Sequence, residues 1–196
     1  MSEAKNKKPS RKQQILQALA ALLEQTPGGR ITTAALAEQV GVSEAALYRH
    51  FSSKAKMFDG LIEFIEESLF TRINQILEKE DKTPIRCQQI LTLILMFCEK
   101  NPGITRILTG DPLAGETERL RTRVNHLFDR IETQLKQVLR EMPMRGEGEL
   151  NTDPTIVANL LLSTVEGRIS QYVRSDFQRK PTEGWDEQWG LLRQML

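Results

Sequence analysis

In 196 residues there are two cysteines and two histidines, aromatic side chains make up 6%, and no uninterrupted apolar run reaches the roughly 20 residues that a bilayer demands. The opening stretch, MSEAKNKKPSRK, has no apolar segment of a signal peptide, so the chain is expected in the cytoplasm. Cys87 and Cys98 fall on one predicted helix, about 16 Å apart and beyond disulfide reach, which makes them buried thiols of a reducing compartment. His50 and His126 have no cysteine or acidic neighbours at ligand spacing, so no metal site is expected. A Gly-rich phosphate loop and the GxSxG, HExxH and CxxC motifs are all missing. The sequence therefore names no catalytic residue and no cofactor, and it reads as a non-enzyme.

A charge excess is missing too, since the formal net charge is +1. Its distribution is uneven. Residues 1–59 carry nine Lys or Arg against five Asp or Glu, net +4, and the remainder is net −3. A chain of this length, 39% apolar and 27% charged, can bury a core of its own.

The basic part holds the most informative stretch, Ile31 to Met57, ITTAALAEQVGVSEAALYRHFSSKAKM. Thr32 or Thr33 offers an N-cap for a helix through Ala34, Leu36, Ala37 and Val40. Gly41 supplies a left-handed stop, and Ser43 caps a second helix from Glu44 to about His50. Leu47 and Phe51 anchor that helix inward, small Ala37 lets the pair cross closely, and Glu44, Ala45, Tyr48, Arg49 and His50 face outward. This is the helix-turn-helix pattern. An ordinary helical hairpin would share the glycine turn. The phosphate-type donors Thr32, Thr33, Tyr48, His50 and Lys54, gathered at helix ends or on one outward side, favour nucleic acid.

The rest reads as helices. Met1 to Pro9 is a polar arm whose Lys5, Lys7 and Lys8, with Arg11 and Lys12, can add phosphate contacts. Ser10 and Gln13 form a capping box for a helix with an Ile15, Leu16, Leu19, Ala20, Leu22 and Leu23 stripe, and Pro27, Gly28 and Gly29 make the loop that follows. Ser53 opens a long helix to about Glu80, with Phe58, Leu61, Ile62, Ile65, Leu69, Ile73 and Ile76 on its core face. Phe64 lies about 140° from the middle of that face, with Arg72 on the flank, and reads either as a helix contact or as an anchor for a partner peptide. Thr83 and Pro84 start a central helix to about Lys100, Asn101–Gly103 break it, and a short helix spans Ile104 to Thr109. A helix from about Glu116 to Glu141 carries a Leu120 to Leu139 stripe and four arginines that read as a solvated face. Met144 to Asn151 is a loop, Asp153 and Pro154 start a helix to about Asp176, and Thr182 starts a last one carrying Trp185, Trp189 and Leu192. Small Ser163, Gly167 and Ser170 with the two final helices suggest a homodimer, although the same residues could complete the monomer core.

From Val42 through Tyr48, Arg49, His50 and Phe51 to Lys54, the LYRHF signature resembles TetR-type regulators. That resemblance implies an all-α, TetR-like chain: a flexible arm over 1–9, a helix-turn-helix domain over 10–57, and a helical dimerisation and partner-binding domain over 58–196. In the variable part after the helix-turn-helix, MFDGLIEFIEESLFTRINQIL, KNPGITRILTG and RLRTRVNHLFDRIETQLKQVLRE are similar to a nucleoid-associated branch of that class, the nucleoid occlusion factors. The resemblance implies a dimer on palindromic double-stranded DNA that engages the C-terminal tail of FtsZ and antagonises its polymers, blocking septum formation over the chromosome. By this resemblance DNA contact falls on Thr32, Thr33, Ser43, Tyr48, His50 and Lys54. FtsZ contact falls on Phe64, Arg72, Leu93, Lys100 and Asn101. The stretch Gly110 to Glu118 is more polar and richer in glycine than its counterpart in that branch. The rival expectation is a ligand-responsive TetR-type repressor, which would need a polar-lined internal cavity after residue 60.

A surface of hydroxyl, tyrosine and lysine donors that contacts phosphates releases counterions. Specific DNA affinity, measured by anisotropy, is expected to fall with a log–log salt slope of about −0.9 per neutralised phosphate. A flat salt dependence would contradict a phosphate-contacting surface.

Overall fold

A helix ends where its first amides or last carbonyls find other partners, and most of the ends anticipated above are built that way in the computed structural model, which describes residues 9–26, 29–113 and 118–196. Lys5, Lys7, Lys8, Pro27 and Gly28 and the start of the helix expected at Glu116 lie outside the described residues. Among those described there are helices and turns but no strand.

Helix α1 (Arg11–Gln25) opens on the Ser10–Gln13 capping box and buries Ile15, Leu19 and Leu23. Helix α2 (Thr33–Val40) is capped by Thr32, whose hydroxyl accepts the Ala35 amide, and stops at Gly41, where φ is +72°. Ser43 caps α3 (Glu44–Tyr48), which is two residues shorter than the sequence suggests because Arg49 and His50 form a turn. Ser53 caps α4 (Lys54–Lys79), which crosses from the helix-turn-helix into the body and buries Met57, Phe58, Leu61, Ile62, Ile65, Leu69 and Ile73. Helices α5 (Thr83–Lys100), α6 (Pro102–Leu108), α7 (Glu118–Arg140), α8 (Pro154–Arg174) and α9 (Trp185–Leu192) complete the body. The core between α4, α5, α7 and α8 is filled by side chains such as Ile94, Leu95, Leu127, Ile131, Leu135, Leu161 and Val165.

Several sequence expectations are corrected. Thr83 is the first residue of α5 rather than its cap. Its amide is taken by the Glu147 carboxylate at 2.9 Å, so the stretch read as a plain loop from Met144 to Asn151 supplies the cap from a distance. Pro102 and Gly103 lie inside α6, since proline at the first helical position lets the helix resume at once after Asn101. Asp111 to Leu113 form a 3-10 turn with Leu113 buried. Thr182 does not start the last helix. Gly184, at φ +64°, does, and the Thr182 hydroxyl donates to Glu99 instead. Trp185 and Trp189 are buried in the monomer, the former donating to Thr92 at 2.8 Å, so these rings are core. Ser163, Gly167 and Ser170 stay exposed on α8, beside exposed Ile156 and Leu160.

The arginines of α7 are not simply a solvated face. Arg123 pairs with Asp59 at 3.2 Å and with Glu66 at 2.6 Å on α4, Arg119 also bonds Asp59, and the Arg130 guanidinium lies 3.8 Å from the Phe70 ring centroid. Burial pushes the Asp59 carboxyl up, but hydrogen bonds from Arg119, Lys56 and Arg123 outweigh this and hold it below its ordinary value. A carboxyl with a depressed folded pKa stabilises the fold above its unfolded pKa, and that contribution is lost as pH falls through the folded value. Asp59→Asn is expected to cost about 1–3 kcal/mol at pH 7 by urea denaturation, because it leaves charged donors short of their acceptor. The gap from wild type should narrow as pH drops below about 4. A gap that stays constant, or widens, on acidification would contradict the ion-pair account.

Candidate nucleic-acid interface and peptide groove

The N-termini of α2 and α3 are pinned to one edge by a 2.5 Å hydrogen bond in which the Thr33 hydroxyl donates to the Glu44 carboxylate. Thr32 and Ser43 sit on the same edge as caps, accepting the amides of Ala35 and Ala46 at 3.2 and 3.3 Å. A cap hydroxyl that accepts with a lone pair keeps its own proton, so both remain able to donate to a phosphate. The proton of Thr33 is already engaged by Glu44. Tyr48 is 45% exposed at the end of α3, and His50 is exposed in the turn after it. Lys54 opens α4 with its ammonium 5.6 Å from the Phe58 ring centroid. The expected DNA-contact residues thus occupy helix caps and ends of one small unit.

On the body, Phe64 is 44% exposed, and its ring packs against Phe97 of α5 with centroids 6.2 Å apart. That contact sets the level of the two antiparallel helices. Leu93, one turn before Phe97 on α5, is half-buried against the core, and Arg72, two turns after Phe64 on α4, is exposed. Phe64, Lys100 and Asn101 also line a groove of about 570 Å³ together with Leu61, Pro102 and Ile104. The structure therefore brings Phe64, Lys100 and Asn101 into one groove, which Leu93 and Arg72 do not line.

The other wall of this groove was not anticipated. It comes from α1, through Gln13, Leu16, Gln17, Ala20 and Glu24. A one-helix pattern can show that Gln13, Gln17 and Glu24 are polar, but not that they look across at another helix. The buried polar residues of the described chain are Asp59, Thr83, Arg86, Thr105 and Arg106. Four of them spend their side chains on ion pairs or backbone carbonyls, such as Arg86 on the Leu77 carbonyl at 2.7 Å and Thr105 on the Cys98 carbonyl at 2.9 Å, rather than on a ligand. Burial pushes the thiols of Cys87 and Cys98 up to about 12, which leaves both protonated and inert.

A capped helix-turn-helix on an all-helical body defines a TetR-type regulator, and residues 15–61 match the tetR family of bacterial regulatory proteins. Residues 80–196 match a SlmA-like family described as a tetracyclin repressor-like C-terminal domain. The chain is 62% identical over 190 residues to the nucleoid occlusion factor SlmA of Alteromonas mediterranea, covering 97% of each. It is 60% identical over 193 residues to that of Shewanella amazonensis, covering 98% of each. The chain belongs to the SlmA family of nucleoid occlusion factors. Among solved structures, the TetR family regulator PfmR of Thermus thermophilus superposes with a TM-score of 0.76 at 21% identity, covering 93% of this chain and 98% of that one. The regulator FadR of Bacillus subtilis, in complex with stearoyl-CoA, superposes with a TM-score of 0.72 at 18% identity, covering 91% and 96%. These two share the fold.

Proposed function

We propose that this chain acts as a homodimer on palindromic double-stranded DNA and holds the C-terminal tail of FtsZ in the seam between α4 and α5, so that FtsZ polymers are antagonised near the chromosome. On this reading residues 10–57 bind DNA through Thr32, Ser43, Tyr48, His50 and Lys54, and through Thr33 once its hydroxyl leaves Glu44, with residues 1–9 as a basic arm. Residues 58–196 form the dimer and the partner site, with exposed Ile156, Leu160, Ser163, Gly167 and Ser170 of α8 as the self-complementary face.

The observation that carries the peptide reading is Phe64: a half-exposed ring at the mouth of a groove, with Lys100 beside it and Arg72 two turns along. An apolar anchor flanked by cations suits a short tail with apolar and acidic residues. One such contact is weak, and several copies gathered on DNA multiply it. The aliphatic filling of the α4, α5, α7 and α8 core supports this reading over a ligand-responsive repressor.

The test is anisotropy of a labelled FtsZ tail peptide and of a labelled palindromic duplex, titrated separately with each variant. Thr32→Ala and Tyr48→Ala should weaken duplex binding about tenfold and leave tail binding intact. Phe64→Ala and Arg72→Asp should weaken tail binding about tenfold or more and leave duplex binding intact. If the wild type does not bind the tail, or if a folded variant of either class damages both activities, the two-surface reading fails.

A further inference from the structure

The largest fully buried side chain carries a charge. Arg106 of α6 is 1% exposed, among apolar neighbours of its own helix. Its Nη1 donates to the carbonyls of Leu23, in the last turn of α1, and of Thr26, the residue that ends it, at 2.7 and 2.6 Å; the Thr26 carbonyl also accepts the Gly29 amide at 3.0 Å. Its Nε and Nη2 donate to one oxygen of Asp111, at 3.0 and 2.5 Å. One turn earlier on α6, Gly103 lies so close to α1 that a Cβ there would fall 2.0 Å from the Ala20 carbonyl oxygen.

Apolar packing alone can hold two helices together, but it is non-directional. A buried guanidinium is costly unless its donors are met, so it fixes an angle as well as a distance. The helix it grips is the one against which α2 and α4 pack, and the helix it comes from belongs to the body. α1 is roughly 22 Å long, so a 10° swing about its C-terminal end moves the far end by roughly 4 Å, more than one 3.4 Å base-pair step.

We propose that Arg106 is a positioning residue for palindrome recognition: by capping the last carbonyls of α1 from α6, it sets the angle of the helix-turn-helix on the body and hence the separation of the two reading heads. This rests on the dimeric reading above. Asp111, whose side chain is partly exposed, holds the guanidinium in its orientation from outside the core.

The experiment compares wild type, Arg106→Gln and Asp111→Asn on three duplexes: a palindrome selected from random DNA by the wild-type protein, the same palindrome with one base pair inserted at its centre, and an isolated half-site. Both variants are expected to lose about tenfold or more on the palindrome, to keep half-site affinity within about twofold, and to discriminate less against the insertion. Equal losses on palindrome and half-site, or no loss on the palindrome, would overturn the proposal, since a merely stabilising residue does not alter spacing preference. If Arg106→Gln does not fold, as judged by its thermal melt, Asp111→Asn decides alone. A wild type that binds the palindrome no better than the half-site removes the dimeric reading itself, so the two failures are distinguishable.

Discussion

One face of a single 26-residue helix is buried along its length in a core that runs from the helix-turn-helix into the body. The first turns of α4 place Met57, Phe58, Leu61 and Ile62 in the core, in the stretch that packs on α1, and the later turns place Ile65, Leu69 and Ile73 against α5 and α7. A helix buried this way cannot rotate about its axis without lifting an apolar stripe into water, at a cost of about 25 cal/mol for each Å² exposed. Its outward residues are therefore fixed as firmly as its inward ones. Lys54 is held at the helix-turn-helix end, and Phe64 and Arg72 follow at set heights along one rod. The same rod carries both candidate surfaces, which is why a protein of this size can offer two of them.

Charged groups then fix what apolar packing leaves loose. Asp59 and Glu66 on α4 meet Arg119 and Arg123 on α7, and Arg106 on α6 meets the end of α1. Pairs of this kind add little net stability when exposed, and buried ones repay their desolvation only when every donor is met. Their value here is directional. They tie the helix-turn-helix unit to the body from two sides, one through α4 and one through α1, and the groove lined by Phe64 and Gln17 opens between those two helices.

The sequence revealed most of what is local. Caps at Ser10, Thr32, Ser43, Ser53 and Asp153, the left-handed stop at Gly41 and the Leu120 to Leu139 stripe stand in the structure where the residues suggest. Phe64 stood out because periodicity on one helix is enough to show an apolar ring on the wrong face. What stayed hidden depends on a second helix. The arginines of α7 looked solvated because their carboxylate partners lie about sixty residues away, and nothing in the short helix Ile104 to Thr109 marks Arg106 as buried, because its carbonyl partners lie about eighty residues back. The apolar spacing of the final helices favours a dimer face, with the monomer core as the alternative, and burial assigns the two tryptophans to the core. For the candidate site, residue types and exposure were legible. The α1 wall of the groove, and the engagement of Thr33 by Glu44, were not.

The central claim is that the DNA surface and the peptide groove are separate places on one rigid frame, occupied together. Native mass spectrometry of the protein with a palindromic duplex and an FtsZ tail peptide tests it most directly. The account predicts complexes containing an even number of chains on the duplex, with peptide bound at up to one per chain. If the duplex and the peptide exclude each other, so that DNA-bound chains carry no peptide at peptide concentrations that load the free protein, the account is contradicted.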